Sequence, residues 1–223
     1  CGEARTADGA ARGAGGGGRG CPERARETGR HGGSESLGEK QGNAGALCER
    51  EGSGKRRHQK LLEESPSPVL SDATRQKMMA AGVAAAKASG YYNAGTVEFL
   101  FDPAKDEFFF LEVNTRLQVE HPVTEWLCGR DLVRDQIRIA DGEPLGFTQD
   151  DVVLRGAAIE CRIAAEDPYN NYLPSLGRID YVNEPSGPGV RVDRSIFRGI
   201  EIPSFYAPML AKPLCWGSYP QQR

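Results

Sequence analysis

Gly95-Thr96-Val97-Glu98-Phe99-Leu100-Phe101 and Phe108-Phe109-Phe110-Leu111-Glu112-Val113-Asn114 are two β-rich runs joined by Asp102-Pro103-Ala104-Lys105-Asp106-Glu107. Turn-forming residues between runs rich in Phe, Leu and Val predict a β-hairpin. A hairpin symmetric about Lys105 sets Glu98 opposite Glu112. Two carboxylates in cross-strand register among Phe and Leu repel each other and suffer desolvation. A divalent cation between them offsets both penalties, and oxygen ligands of this kind suit Mg²⁺ or Mn²⁺ together with phosphate oxygens. Asn114, two residues beyond Glu112 on the same face of an extended chain, is a candidate third ligand. The competing reading is a solvated strand face that happens to carry both glutamates.

Outward from the hairpin, the period of two continues. Glu112, Asn114, Arg116, Gln118 and Glu120 alternate with Val113, Thr115, Leu117 and Val119 as far as His121-Pro122. A guanidinium flanked by amides suits a small planar oxyanion, and a carboxylate beside that anion suits a general base. An exposed polar strand edge is the alternative. From Val123 to Ala140 the pattern is helical but broken at Gly129, which predicts two helices with Asp131 capping the second. Before the hairpin, Ser71 or Asp72 offers an N-cap, Met78, Met79, Val83 and Ala86 recur at helical spacing, and Gly90 offers the stop. Glu63-Glu64-Ser65-Pro66-Ser67-Pro68 reads as a breaker-rich connection. After Val152 short strands dominate, with turns at 184–189 and at Pro203. The architecture expected is α+β.

The ends of the chain differ in composition. Residues 1–60 carry 16 of the 28 glycines, with Leu37 and Leu47 as their only large aliphatics. Such a stretch cannot by itself bury enough apolar surface to offset its chain entropy, so residues 1–55 are expected to be disordered or poorly packed. A net charge of -3 argues against a basic nucleic-acid binder, and no apolar run has the length of a membrane span or the pattern of a signal peptide. The six cysteines include no CxxC pair, and free thiols in a cytoplasmic protein are the simplest reading.

Glu112-Val113-Asn114-Thr115-Arg116-Leu117-Gln118-Val119-Glu120-His121-Pro122-Val123-Thr124-Glu125 closely resembles biotin carboxylase, the ATP-grasp component of biotin-dependent carboxylases. Arg56-Arg57-His58-Gln59-Lys60, Glu160-Cys161-Arg162-Ile163, Ala165-Glu166-Asp167-Pro168 and Met209-Leu210-Ala211-Lys212 match in order. The resemblance implies that Glu98 and Glu112 bind metal and ATP, with Asn114 as a further metal ligand. It implies that Arg116, the Val119 backbone and Lys60 hold bicarbonate, with Gln118 beside them. Glu120 resembles the base that deprotonates bicarbonate, Arg116 counts as catalytic, and Arg162 resembles the arginine that stabilises the biotin enolate. His31 and His58 are similar to nucleotide-contacting histidines. From the residues alone, His58 also fits a solvated basic patch, and Arg162 a structural ion pair. The cofactors implied are ATP, Mg²⁺ or Mn²⁺, and biotin on a separate carrier. The partners implied are bicarbonate, a biotin carboxyl carrier, a carboxyltransferase and further copies of the chain, with neither nucleic acid nor membrane.

The chain departs from the family's pattern in residues 1–55. Gly15-Gly16-Gly17-Gly18-Arg19-Gly20 resembles the phosphate-covering loop, yet the lysine before it is absent, and glycines stand where the family has strand residues. The expected organisation is a degraded lid remnant over 1–55, a partial ATP-grasp core over 56–145 and a truncated biotin carboxylase C-terminal domain over 146–223. The activity implied is ATP- and bicarbonate-dependent carboxylation of biotin within an acyl-CoA carboxylase. A pyruvate or urea carboxylase module, or a non-catalytic fragment keeping only an interaction surface, are the alternatives.

Overall fold

The computed structural model describes residues 30–56, 59–202 and 209–218. Its first seven strands are β1 (Arg30–Gly38), β2 (Ala44–Arg56), β3 (Gln59–Ser65), β4 (Asn93–Asp102), β5 (Glu107–Asn114), β6 (Ala157–Cys161) and β7 (Ile163–Ala164). The two-residue strands β8 (Glu166–Asp167), β9 (Leu173–Pro174), β10 (Gly177–Arg178) and β12 (Glu201–Ile202) form two small side sheets. Strands β11 (Val190–Arg194) and β13 (Met209–Gly217) complete the set. The centre of the molecule is a nine-stranded sheet in the order β11-β13-β6-β3-β2-β1-β4-β5, with β7 also paired to β13. Pairing of β3 with β6 makes this sheet continuous from the hairpin region into the C-terminal strands.

Three α-helices among the described residues cover the sheet: α1 (Asp72–Ser89), α2 (His121–Cys128) and α3 (Leu132–Asp141). Helix α1 begins where the Ser71 hydroxyl accepts from the Thr74 N–H, and ends at Gly90 in the left-handed region, as expected. Gly129 and Asp131 divide α2 from α3, with Asp131 accepting from the Arg134 N–H. Met78 of α1 packs with Val97 and Phe99 on one face of the sheet. On the other face, Leu132 and Ile139 of α3 pack with Leu37, Leu47 and Ala94. Val123 and Leu127 of α2 join Ala158 and Leu214 on that side.

Three expectations are corrected. Residues 30–55, expected to lack stable structure, form β1 and nearly all of β2, two adjacent inner strands between β3 and β4. Their glycines do not prevent this because side chains of the adjoining strands occupy the space where their own would be. A Cβ on Gly33 would lie 2.8 Å from Thr96 Cγ2, and one on Gly52 would lie 2.3 Å from Glu63 Oε2. The sheet thus supplies the order that local propensity lacks. The second correction is that Glu63, Glu64 and Ser65 belong to β3, so the breaker-rich connection begins only at Pro66. The third is that the polar ribbon does not stay extended to Glu120. Strand β5 ends at Asn114, the His121 N–H donates to the Gln118 carbonyl, and Pro122 lies in the first turn of α2. Pro203, the Gly15–Gly20 run and His58 lie outside the described residues.

Candidate active site

The hairpin places its carboxylates as its symmetry predicts. Glu98 is the register partner of Glu112, and Thr96 of Asn114. One residue toward the turn the register slips, so that Phe99 faces Phe110 and Leu111 bulges. The two glutamates then differ in environment: Glu98 is 4% exposed, whereas Glu112 is exposed.

Glu98 is the hub of a convergent polar cluster. Its Oε1 accepts from Lys60 Nζ at 2.9 Å, Asn114 Nδ2 at 3.0 Å and Gln118 Nε2 at 2.8 Å. Its Oε2 lies 2.6 Å from His31 Nε2. Burial opposes ionisation here, but the bonds from His31 and Lys60 outweigh it and hold the Glu98 carboxyl well below the usual carboxylate range. Lys60 spans two carboxylates, because its Nζ also donates to Glu120 Oε1 at 2.9 Å. Glu120, 2% exposed, accepts on its other oxygen from Arg162 Nη2 at 2.6 Å. Burial again opposes ionisation, and Arg50, Lys60 and Arg162 together bring the Glu120 carboxyl down to about 2. Arg162 is fixed by its strand context, its N–H donating to the Leu61 carbonyl. Lys212 donates to the Val119 carbonyl.

The structure therefore brings His31, Lys60, Glu98, Asn114, Gln118, Glu120 and Arg162 together. Arg116 stands at the exposed edge of this cluster, its guanidinium reaching the Asn114 Oδ1 and the Leu117 carbonyl at 3.4 Å each. Glu112 lies at the rim, its charge acting on Lys55. No group of three or more His, Cys, Asp or Glu side chains able to hold a metal ion occurs among the described residues. A divalent ion at Glu98 and Glu112 thus requires further oxygens, such as Asn114 and phosphate, and this hard-oxygen donor set suits Mg²⁺ or Mn²⁺.

Beneath this surface lies a layer that sequence reasoning missed. Arg50 has no exposed side-chain surface and extends from β2 toward α2. It donates to Gln118 Oε1 at 2.6 Å, Thr124 Oγ1 at 2.7 Å and Thr96 Oγ1 at 3.2 Å, and pairs with Glu35. Its Nε lies 3.6 Å from Glu63 Oε1. Despite the cost of burial, this acidic surrounding raises the affinity of Arg50 for its proton. The available signal was Glu49-Arg50-Glu51 next to Cys48 and Leu47, charges embedded in a run with apolar neighbours.

The described residues form a mixed sheet-and-helix layer with lysine, arginine and carboxylate groups gathered at the hairpin end, followed by a β-rich segment. Residues 7–148 match the family described as carbamoyl-phosphate synthase L chain, ATP binding domain, and residues 160–222 match the biotin carboxylase C-terminal domain. The chain belongs to the biotin carboxylase family. It is 52% identical over 181 residues to a biotin carboxylase of Nostoc sp., covering 81% of this chain and 40% of that protein. It is 50% identical over 188 residues to biotin carboxylase 1 of Bacillus subtilis, covering 84% of this chain and 42% of the relative. The biotin carboxylase domain dimer of Hydrogenobacter thermophilus 2-oxoglutarate carboxylase, solved with MgADP, ADP and bicarbonate, superposes with a TM-score of 0.83 at 45% identity. That match covers 86% of this chain and 42% of the solved one. The chain spans about two fifths of the length of these relatives.

Proposed function

We propose that this chain carries the catalytic centre of a biotin carboxylase, which uses ATP and bicarbonate to carboxylate biotin through carboxyphosphate. The observation that supports this most is Lys60 Nζ, 2.9 Å from both Glu98 and Glu120, joining the candidate nucleotide–metal side of the site to the candidate base. Glu98, Glu112 and Asn114 hold Mg²⁺ or Mn²⁺, which when bound neutralises phosphate charge during phosphoryl transfer. Lys60, Arg116, Gln118 and the Val119 backbone take bicarbonate, His31 and His58 serve the nucleotide, and Arg162 serves bicarbonate and the biotin enolate. Residues 56–145 form the ATP-grasp core and 146–223 the C-terminal part in this reading.

Glu120 removes the bicarbonate proton. As the structure stands its carboxylate is a weak base, because Lys60 and Arg162 are bonded to it. An arriving anion competes for those same two cations, loosens their hold and strengthens the base where it is needed. The carboxyl group then passes to biotin on a carrier protein or domain and onward through a carboxyltransferase, with acyl-CoA the preferred acceptor class and the intact protein a homo-oligomer.

The test is a chimera in which this segment replaces its counterpart in the Nostoc biotin carboxylase. Steady-state kinetics with free biotin, varying ATP and bicarbonate separately, are expected to show Glu120→Gln lowering kcat by about 10² to 10⁴ with nucleotide affinity barely changed. Arg116→Ala is expected to raise the KM for bicarbonate as well as lower turnover. A near-parental kcat in Glu120→Gln rejects the base assignment.

A further inference from the structure

Strand β13 alternates, and the face it turns toward α2 carries Lys212, Leu214 and Trp216. Leu214 and Trp216 pack with Val123 and Leu127 of α2. Lys212 is 8% exposed, and an ammonium so placed must be paired. Its Nζ lies 3.4 Å from Oδ2 of Asp193, its register partner on β11. It lies 3.8 Å from Oε2 of Glu160 on β6, itself the register partner of Glu63. These two anions balance its charge. Its hydrogen bond goes elsewhere, to the Val119 carbonyl.

Val119 lies between the end of β5 and the start of α2. The chain there is tied locally at two points. The His121 N–H donates to the Gln118 carbonyl and the Val123 N–H to the Glu120 carbonyl, each at 3.2 Å. The carbonyl between them is held by a side chain 93 residues further along. A peptide unit is planar, so the Val119 carbonyl and the Glu120 N–H turn together. Holding that carbonyl sets ψ of Val119 on one side and φ of Glu120 on the other. Those dihedrals aim the Val119 backbone and the Glu120 side chain. The anchor is itself braced. Arg191 on β11 grips Asp193, Nε to Oδ1 at 2.8 Å and Nη2 to Oδ2 at 3.0 Å. Its Nη1 donates to Glu125 Oε2 of α2 at 3.0 Å. The pair β11 and β13 is thus fastened both to the segment before α2 and to α2.

We propose that Lys212 is a positioning residue for the reaction centre: from a C-terminal strand it holds the Val119–Glu120 peptide so that the Val119 backbone and the Glu120 carboxylate address the same anion. The functional meaning rests on the biotin carboxylase reading, whereas the grip on the peptide does not. Bicarbonate is the substrate whose handling depends on this peptide, so the loss of Lys212 is felt there and not at the nucleotide.

Two measurements test this. The sequence has two Val-Glu pairs, Val97-Glu98 and Val119-Glu120, so the 223-residue chain labelled with ¹³C at valine carbonyls and ¹⁵N in glutamate gives two carbonyl signals by NMR. Val119→Ile removes one and assigns both. A carbonyl that loses a charged donor moves upfield, so Lys212→Met is expected to move the Val119 signal upfield and leave that of Val97 in place. Should Lys212→Met not fold, Asp193→Asn, which removes the anion beside the ammonium, is expected to move the Val119 signal by a smaller amount. An unmoved Val119 signal overturns the proposal. The functional half is read in the chimera. Lys212→Met is expected to raise the KM for bicarbonate about tenfold and lower kcat by about 10 to 10², with the KM for ATP unchanged. A merely structural tie predicts a different pattern, since loss of folded molecules lowers apparent kcat and leaves both KM values alone. That pattern, or parental kinetics, overturns the positioning role. A parent chimera that cleaves no ATP with bicarbonate refutes the biotin carboxylase reading, while the carbonyl signals still decide whether Lys212 holds the peptide.

Discussion

Strands β1 and β2 and the β4–β5 hairpin belong to one sheet but are stabilised by different physics. The hairpin is built from Val97, Phe99, Phe101 and Phe108, with Phe99 and Phe108 edge to face at 5.2 Å between ring centroids. The inner strands bury Ser34, Glu35, Ser36, Glu49 and Arg50 instead, with Leu37, Ala46, Leu47 and Cys48 as their apolar share. A bulge helps to combine the two kinds of residue. The β1–β2 register shifts between Glu35 and Ser36, leaving Leu47 as the extra residue on β2. Leu47 and Cys48 then both face the side of α2 and α3, Leu47 toward Leu132 and Ile139, and Cys48 toward Thr124 at 3.2 Å. Apolar strands carry their own driving force, whereas charged and glycine-rich strands are ordered only where partners for each charge already exist.

The largest effect expected is from Arg50→Ala. It leaves Glu35 and Glu63 without their shared cation and breaks the bonds to Gln118, Thr96 and Thr124. Removing one partner of a buried ionic network costs about 3–5 kcal/mol, as read by urea unfolding of the chain. Phe99→Ala in the hairpin is expected to cost about 3 kcal/mol by loss of contact with Met78, Val97 and Phe108. Equal or greater loss at Arg50 establishes the inner strands as integral; an effect near zero there, with the Phe99 loss intact, breaks the comparison.

A smaller and opposite-signed pair of effects concerns pH. Burial pushes Glu63 up to about 8 and Glu160 to about 7, the latter against the pull of Lys212. Between the ordinary carboxylate range and those values the folded chain holds protons that the unfolded chain has released, so stability falls as pH rises from about 5 to about 8. Glu98 and Glu120 are shifted the other way, so a second loss appears as pH falls below the ordinary carboxylate range. Urea midpoints measured across pH should show a dome, and Glu160→Gln should flatten its alkaline side. A midpoint that rises from about pH 5 to 8 contradicts this.

The smallest effect distinguishes packing from propensity. On an exposed helix, replacing glycine by alanine gains about 1 kcal/mol. At Gly82 of α1 the new Cβ would lie 2.8 Å from Ser34 Oγ and 3.0 Å from Ser34 Cβ on β1. Gly82→Ala is therefore expected to destabilise slightly, and Ser34→Gly in the same chain to restore the gain. Stabilisation by Gly82→Ala alone would mean that α1 does not press on β1 as closely as the structure shows.

The sequence by itself determined the hairpin, its facing glutamates, the two helices separated by Gly129, a cap at Ser71 or Asp72, the Asp131 cap and the β-rich C-terminal stretch. Each depends on a local pattern: alternation, a capping side chain, a glycine stop. Lys60, Glu98, Gln118, Glu120 and Arg162 were also legible, through the polar alternation after the hairpin and through likeness to a family. Only the tertiary structure decided that residues 30–56 enter the centre of the sheet, that Arg50 lies under the site, and that Glu63 faces Glu160. Those features depend on pairing across strands remote in sequence, where the neighbour that satisfies a buried charge or occupies the space above a glycine is not written in the local run of residues.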